Sequence, residues 1–354
     1  SLVNGFMGSA IFLPGNHDWA KGGKEGYQHI LNQEAYFTSK AGKEKIYFPE
    51  EGCPGPVEVS LSEDIVLIVF DSQWYFHKFD KPGLDGDCGF EDMDDLFVQI
   101  EDAFRRNRDK KVIFVAHHPL FSVGIHGGYF PAYAHLFPLV EMVNWLYVPL
   151  PGFIYTGYRK FLGSPQDLAH PEYKAFKATM LEIMKDYPEV IYAAGHEHNL
   201  QYFNTENIHH IVSGGGGEGT YIAKRSKMAD FAFAGSGFAR LSFYDNGDTW
   251  IEFIAPDNNG KPELLYCKKL FNKKEFDPVR EEEIQDVDYS DSTVRVKLSD
   301  IYNRGKFARF WMGDNYRDIW DMEVELPVFD IASAKGGLSI IKRGGGQQTR
   351  SVRM

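Results

Sequence analysis

Four short apolar runs, each ending in polar residues, constrain this chain more than any other feature. Residues 9–14 (Ser-Ala-Ile-Phe-Leu-Pro) lead into Gly15-Asn16-His17-Asp18, residues 64–71 close on Asp71, residues 111–118 close on His117-His118, and residues 190–198 close on Gly195-His196-Glu197-His198. Continuous apolar runs of this length read as strands covered on both faces, and in such sheets ligands gather where the strands end. Residues 92–108 carry Leu96, Phe97, Ile100 and Phe104 at helical spacing with acids first and bases last, and residues 172–187 repeat the spacing. Residues 238–244 and 249–254 alternate around Asp245-Asn246-Gly247-Asp248, which predicts a hairpin, and residues 264–270 add a strand. The pattern is α/β.

At 354 residues the chain has room for one large body with appendages, and 43% hydrophobic with 25% charged residues is ordinary for a globular protein. A net charge of -12 argues against a nucleic-acid partner, whose affinity comes from lysine and arginine, but leaves room for a compact anionic substrate if metal ions supply local positive charge. Three cysteines are too few for a disulfide framework or a zinc ribbon; one bridge is the most they allow, with Cys53 and Cys88 the candidate pair, and it would suit an oxidising compartment.

An insertion over about residues 129–170, rich in Phe, Tyr, Trp and Pro, matches no standard helix. Its stretch 146–155 is too short and too broken to span a bilayer, although its aromatics suit a membrane interface; a packed lid or second small core is the commoner use of such residues. Past Asp277 the composition shifts, acidic over 281–288 and then mixed aromatic and basic over 304–317. The expected organisation is a catalytic body over 1–277 and a linker with an appendage over 278–354. Ser1 opens almost inside a strand, so the chain is expected to be a fragment.

Metal ions held by nitrogen and oxygen need His, Asn and Asp on rigid loops, and the strand-end motifs offer those residues. Gly195 is expected to make the tight turn that lets His196 and His198 face one cluster. A lone His-x-His pair is weak evidence, and the bland readings make Asn16 a turn residue, His117 a strand end and His126 a glycine-loop histidine. Those readings require structural histidines to fall at successive strand ends by coincidence. His118 reads as a supporting group or as a residue held extended before Pro119. Gly214 to Gly217 read as a tight turn beside the site, because no lysine-serine pair follows to make a phosphate loop.

Gly15-Asn16-His17-Asp18, Ala116-His117-His118-Pro119 with Ser122 and His126-Gly127, and Gly195-His196-Glu197-His198-Asn199-Leu200-Gln201-Tyr202 resemble the purple acid phosphatase branch of the calcineurin-like metallophosphoesterases, over about residues 9–270. The resemblance implies two packed mixed β-sheets flanked by helices, a four-layer sandwich with a C-terminal extension. It implies hydrolysis of phosphate monoesters by a water activated at two metal ions (Fe, Zn or Mn). Asn16, His117 and His196 would bind one metal and His198 the other; His17 would meet the phosphate or leaving group, oriented by Asp18, and His126 would act as general acid or substrate binder. The family's first two motifs supply aspartates, one of them bridging the metals, and in the purple branch a tyrosine. No aspartate precedes Gly15, so these are expected upstream of Ser1.

The tail, Gly336-Gly337-Leu338 and residues 342–351, resembles the connector in envelope proteins of Bacteroidota-type bacteria, in which a phosphoesterase domain precedes an outer-membrane β-barrel. That implies a place in the cell envelope, at the periplasm or cell surface, and contact with a barrel or membrane surface. Two further functions stand beside the phosphomonoesterase: a phosphodiesterase or lipid-phosphate hydrolase, motivated by the aromatic insertion, and a non-catalytic envelope module, motivated by the missing aspartates.

Overall fold

The computed structural model describes residues 9–41, 46–83, 86–137, 152–187, 189–205, 208–217, 219–223 and 226–271, and the backbone of four strands beyond them. Backbone contacts divide the chain into two units, Ser1–Lys273 and Lys274–Met354.

The first unit runs α1 (Gly26–Ala41), β1 (Val57–Ser60), β2 (Ile65–Val69), the short α2 (Ser72–Phe76), α3 (Met93–Arg106), β3 (Lys111–Ala116), α4 (Gly152–Phe161), α5 (Pro171–Met184), β4 (Val190–Ala194), β5 (Leu200–Thr205), β6 (Ile208–Ser213), β7 (Phe231–Phe233), β8 (Phe238–Phe243), β9 (Thr249–Pro256) and β10 (Pro262–Phe271). Seven strands form a mixed sheet in the order β1-β2-β3-β4-β6-β5-β7, and β10-β9-β8 form a second, antiparallel sheet. The centre of the large sheet, β2-β3-β4-β6, is parallel.

Side chains alternate across a strand, so β3 serves two cores at once. Val112, Phe114 and Ala116 pack with Leu96, Ile100 and Phe104 of α3 and Tyr173, Phe176 and Met180 of α5. Ile113 instead joins Ile191, Tyr202 and Ile211 against Ile251, Phe253 and Phe271 of the second sheet. The expected fold is therefore present: two packed sheets flanked by helices. Asp92 caps α3 by accepting from Asp95 N, and Pro171 opens α5, as residue types at helix starts lead one to expect.

Two expectations change. Residues 9–14 make no ladder; Phe12 forms a single bridge with Tyr47, donating to Ile46 O at 2.7 Å and accepting from Phe48 N at 2.9 Å, and Pro14 brings no N–H to extend it. The aromatic insertion does contain a helix, α4. Its apolar residues Phe153, Ile154, Tyr158 and Phe161 face outward while Thr156 and Arg159 turn inward, the reverse of the polarity expected of a surface helix. Residues 138–151 of that insertion, including most of the 146–155 stretch, lie outside the described residues.

Cys53 and Cys88 are joined by a disulfide, and Cys267 is exposed and free. No helix among the described residues is long and apolar enough to cross a membrane. The second unit shows two antiparallel ladders, β11 (Thr293–Lys297) with β12 (Glu323–Pro327) and β13 (Asp330–Ala334) with β14 (Gly337–Ile341). The connector-like residues 342–351 lie outside the described residues.

Candidate metal centre

Parallel register assembles the site. Ala116 pairs with Ala194 and Ala194 with Val212, so β3, β4 and β6 end side by side and deliver His117-His118, Gly195-His196 and Gly214 to one edge. Gly195 N donates to His117 O at 3.1 Å, tying two of these loops together. Close approach explains two glycines: a Cβ on Gly15 would lie 2.5 Å from His117 Nδ1, and one on Gly214 would lie 2.0 Å from Glu197 O. The turn expected beside the site follows Gly214, at Gly215 and Gly216. Gly195 opens the tight turn expected there, its O accepting from Glu197 N at 2.8 Å, but it is not the left-handed residue of that turn. The left-handed residue is His196 itself, at φ 64°, a conformation that side chains with a Cβ adopt only under constraint from their surroundings.

The ring nitrogens of His117, His118 and His196 lie within 4.8 Å of one another. His196 Nε2 is 3.0 Å from Gln166 O, a pure acceptor, so Nε2 carries the proton. Burial, reinforced by the rings of His126, His118 and His117, drives the His196 pKa well below the usual imidazole value. The ring is neutral, and Nδ1 presents a lone pair. That atom is 3.2 Å from His117 Nε2, which is 2.9 Å from Asn16 Oδ1. Burial likewise depresses His117, ahead of the surrounding histidines.

A proton on His117 Nε2 can serve one of those two acceptors well but not both. A cation satisfies all three atoms. Ligand atoms about 2.0–2.1 Å from an ion stand roughly 2.9 Å apart in octahedral and roughly 3.3 Å apart in tetrahedral arrangement, which brackets the observed spacings. The donor set fits a metal. His118 is engaged differently, with Nδ1 2.9 Å from Ser72 Oγ and Nε2 2.9 Å from Gln166 Oε1; burial pushes its pKa down to about 3. It holds the side chain of Gln166, the residue whose backbone carbonyl fixes the His196 tautomer.

Of the other expected residues, His17 is exposed beside Asn16, and Asp18, expected to orient it, accepts from Gly15 N at 2.7 Å. His17 and His198 stand close enough to act on His117 electrostatically. His126 lies over His196 with ring centroids 4.1 Å apart. No carboxylate joins the three imidazoles among the described residues.

Sequence reasoning missed the support on the His126 side. Asp167, fully buried, lies 3.0 Å from His126 Nδ1 and accepts from Arg159 Nε at 2.8 Å, from Arg159 Nη2, and from Ser164 N and Oγ. Burial would raise its pKa, but the bonds from Arg159 and His126 and the guanidinium charge hold it well below the ordinary carboxylate range. The signal available was the Ser164-Pro165-Gln166-Asp167 turn, where a serine and an aspartate three apart close on each other. Glu197, buried between the two motif histidines, accepts from Ser122 Oγ and from His126 N at 2.9 Å, and so ties the His126 loop to the β4 loop.

No family model and no curated protein matches the chain. Among solved structures it is similar to GAP50, the anchor in the inner membrane complex of Plasmodium, at 17% identity and TM-score 0.41, over 70% of this chain and 62% of that one. It is also similar to the purple acid phosphatase PPD1 from yellow lupin (Lupinus luteus) seeds, at 15% identity and TM-score 0.34, over 60% of this chain and 32% of that one. PhoD is similar at 10% identity and TM-score 0.39, over 69% of this chain and 48% of that one. The chain thus spans about three-fifths of the first of these proteins and less of the other two.

Proposed function

We propose that this chain supplies the histidine-rich side of a two-metal centre that hydrolyses phosphate monoesters. One observation carries the reading: Asn16 Oδ1 and His196 Nδ1 both lie within 3.2 Å of His117 Nε2, where the loop after residues 9–14 meets the ends of the adjacent parallel strands β3 and β4. Those three residues would hold one ion and His198 a second (Fe, Zn or Mn). Bound ions would supply the positive charge that polarises a phosphoryl group and lowers the pKa of the attacking water.

The chain's own residues do the rest. His17, exposed beside Asn16, binds the phosphate or leaving group. His126 has Nδ1 fixed by Asp167, so Nε2 is the atom that passes a proton to the leaving oxygen. Glu197 and Gln166 keep His126 and His196 in register, and an attack by water needs no covalent phosphoenzyme. An envelope location, with the second unit leading toward an outer-membrane barrel, is supported by the Cys53–Cys88 bridge and by the tail's resemblance.

The test is metal content and hydrolysis of a water-soluble aryl phosphate by the full-length native protein. Two ions per chain, with loss of bound metal and at least a hundredfold loss of activity in His196→Ala, are expected. Metal-free native protein would point to the non-catalytic envelope module. A preference for diesters over monoesters would replace the phosphomonoesterase by a phosphodiesterase.

A further inference from the structure

We propose that the outer face of α4, with the 3-10 turn Ala132–His135 beside it, docks on an anionic lipid surface next to the histidine cluster. The inner face of α4 is committed to the site: Thr156 Oγ1 lies 2.8 Å from His135 Nδ1, and Arg159 pairs with the Asp167 that holds His126. The outer face is bare. Phe153, Ile154, Tyr158, Phe161 and Leu162 are 65%, 63%, 48%, 72% and 64% exposed, at spacings that put them on one side of a helix. On the adjoining turn, Tyr133 and Leu136 are 47% and 61% exposed. Contiguous apolar surface of this kind marks contact with a protein or a membrane.

Charge selects the membrane. The described residues of this face, 130–137 and 152–163, hold no acidic side chain; Lys160 is exposed and Arg159 turns inward to Asp167, whereas the chain holds 50 acids in 354 residues, about one in seven, and a net charge of -12. An acid-free apolar face that carries an exposed lysine is attracted to an anionic bilayer, whereas the acidic remainder of the chain is repelled, so the protein is oriented with this face toward the lipid. Aromatic and aliphatic side chains with a flanking lysine are the composition of helices that lie in the bilayer interface. Docked there, the His126 side of the cluster stands at the lipid headgroups. The substrate class that follows, phosphate esters carried at a lipid surface, rests on the proposed function; the docking does not.

The experiment is co-sedimentation of the native protein with phosphatidylcholine vesicles, with and without phosphatidylglycerol, against the variant Phe153→Ser/Ile154→Ser/Phe161→Ser. The native protein should partition onto the anionic vesicles more strongly than onto the neutral ones. The triple variant should lose at least tenfold in partitioning while hydrolysing a soluble aryl phosphate at the native rate. Absence of native binding, or equal binding by the variant, overturns the proposal, as does a native dimer that the variant dissolves. Should the triple variant fail to fold, Lys160→Glu replaces it, and an unchanged anionic preference in that variant counts against docking. Vesicle binding without any phosphatase activity sinks the catalytic reading and leaves the docking standing.

Discussion

Asp71 and Asp167 are both buried aspartates, 1% and 0% exposed, and they titrate in opposite directions. Asp71 caps α2 and accepts from Trp19 Nε1 at 2.7 Å, Gln73 N at 2.9 Å and Trp74 N at 3.2 Å. Burial pushes its pKa up to about 7, against the pull of those donors. Asp167 is buried as deeply, but a guanidinium lies on it, and its pKa falls instead. Three neutral N–H dipoles offset desolvation only in part, whereas a guanidinium at hydrogen-bond distance, joined by His126 and Ser164, exceeds it. The carboxylate behind His126 is thereby kept charged, while the one behind Trp19 acts through shape and hydrogen bonding.

The sharpest way to break this contrast is Arg159→Ala, which strips Asp167 of its cation and leaves a buried charge unpaired. A loss of about 3 kcal/mol in chemical denaturation is expected, with weakened turnover as the His126 ring loses its fixed partner. Arg159→Lys should recover part of the stability, because it restores charge without the fork.

Next in size are the pH limbs. Asp167, with its folded pKa depressed, adds stability that is present above the unfolded value of about 4 and is lost as pH falls below it. Asp71, with its folded pKa raised, adds stability that is present below about 4 and is lost as pH rises toward 7. Denaturation midpoints taken from pH 3 to 8 should therefore separate two limbs of opposite sign, and Asp71→Asn should flatten only the upper one. The smallest effect belongs to Trp19→Phe, which removes one donor: about 1 kcal/mol, with the upper limb shifted to higher pH.

The strand-end side of the site was legible because parallel β-strands write themselves as apolar runs that stop at polar residues. His117 and His196 stand together at the ends of β3 and β4 as that pattern implied, and Asn16 joins them from a run that makes only a single bridge. The other side was illegible for an equally physical reason. Asp167 and Arg159 lie 41 and 33 residues from His126 in sequence and meet it through loop closure, which leaves no periodicity. Helix α4 was missed because it is ten residues long, closely preceded by Pro149 and Pro151, and its apolar side faces solvent while Thr156 and Arg159 face the protein. His118 illustrates a third case. Its residue type fits a ligand, and only its two hydrogen bonds, to Ser72 and Gln166, reveal a brace.

The left-handed backbone at His196 has a consequence for any attempt to dissect this site. Position 196 is one where a bare backbone would be more at ease than any substituted residue, so the imidazole is retained there at the expense of conformational comfort. Alanine at this position deletes the ring and keeps the distortion; glycine deletes both. The glycine variant should melt higher than the alanine variant although both lack the imidazole, and the gap between them would measure how much stability the chain gives up to hold that ring.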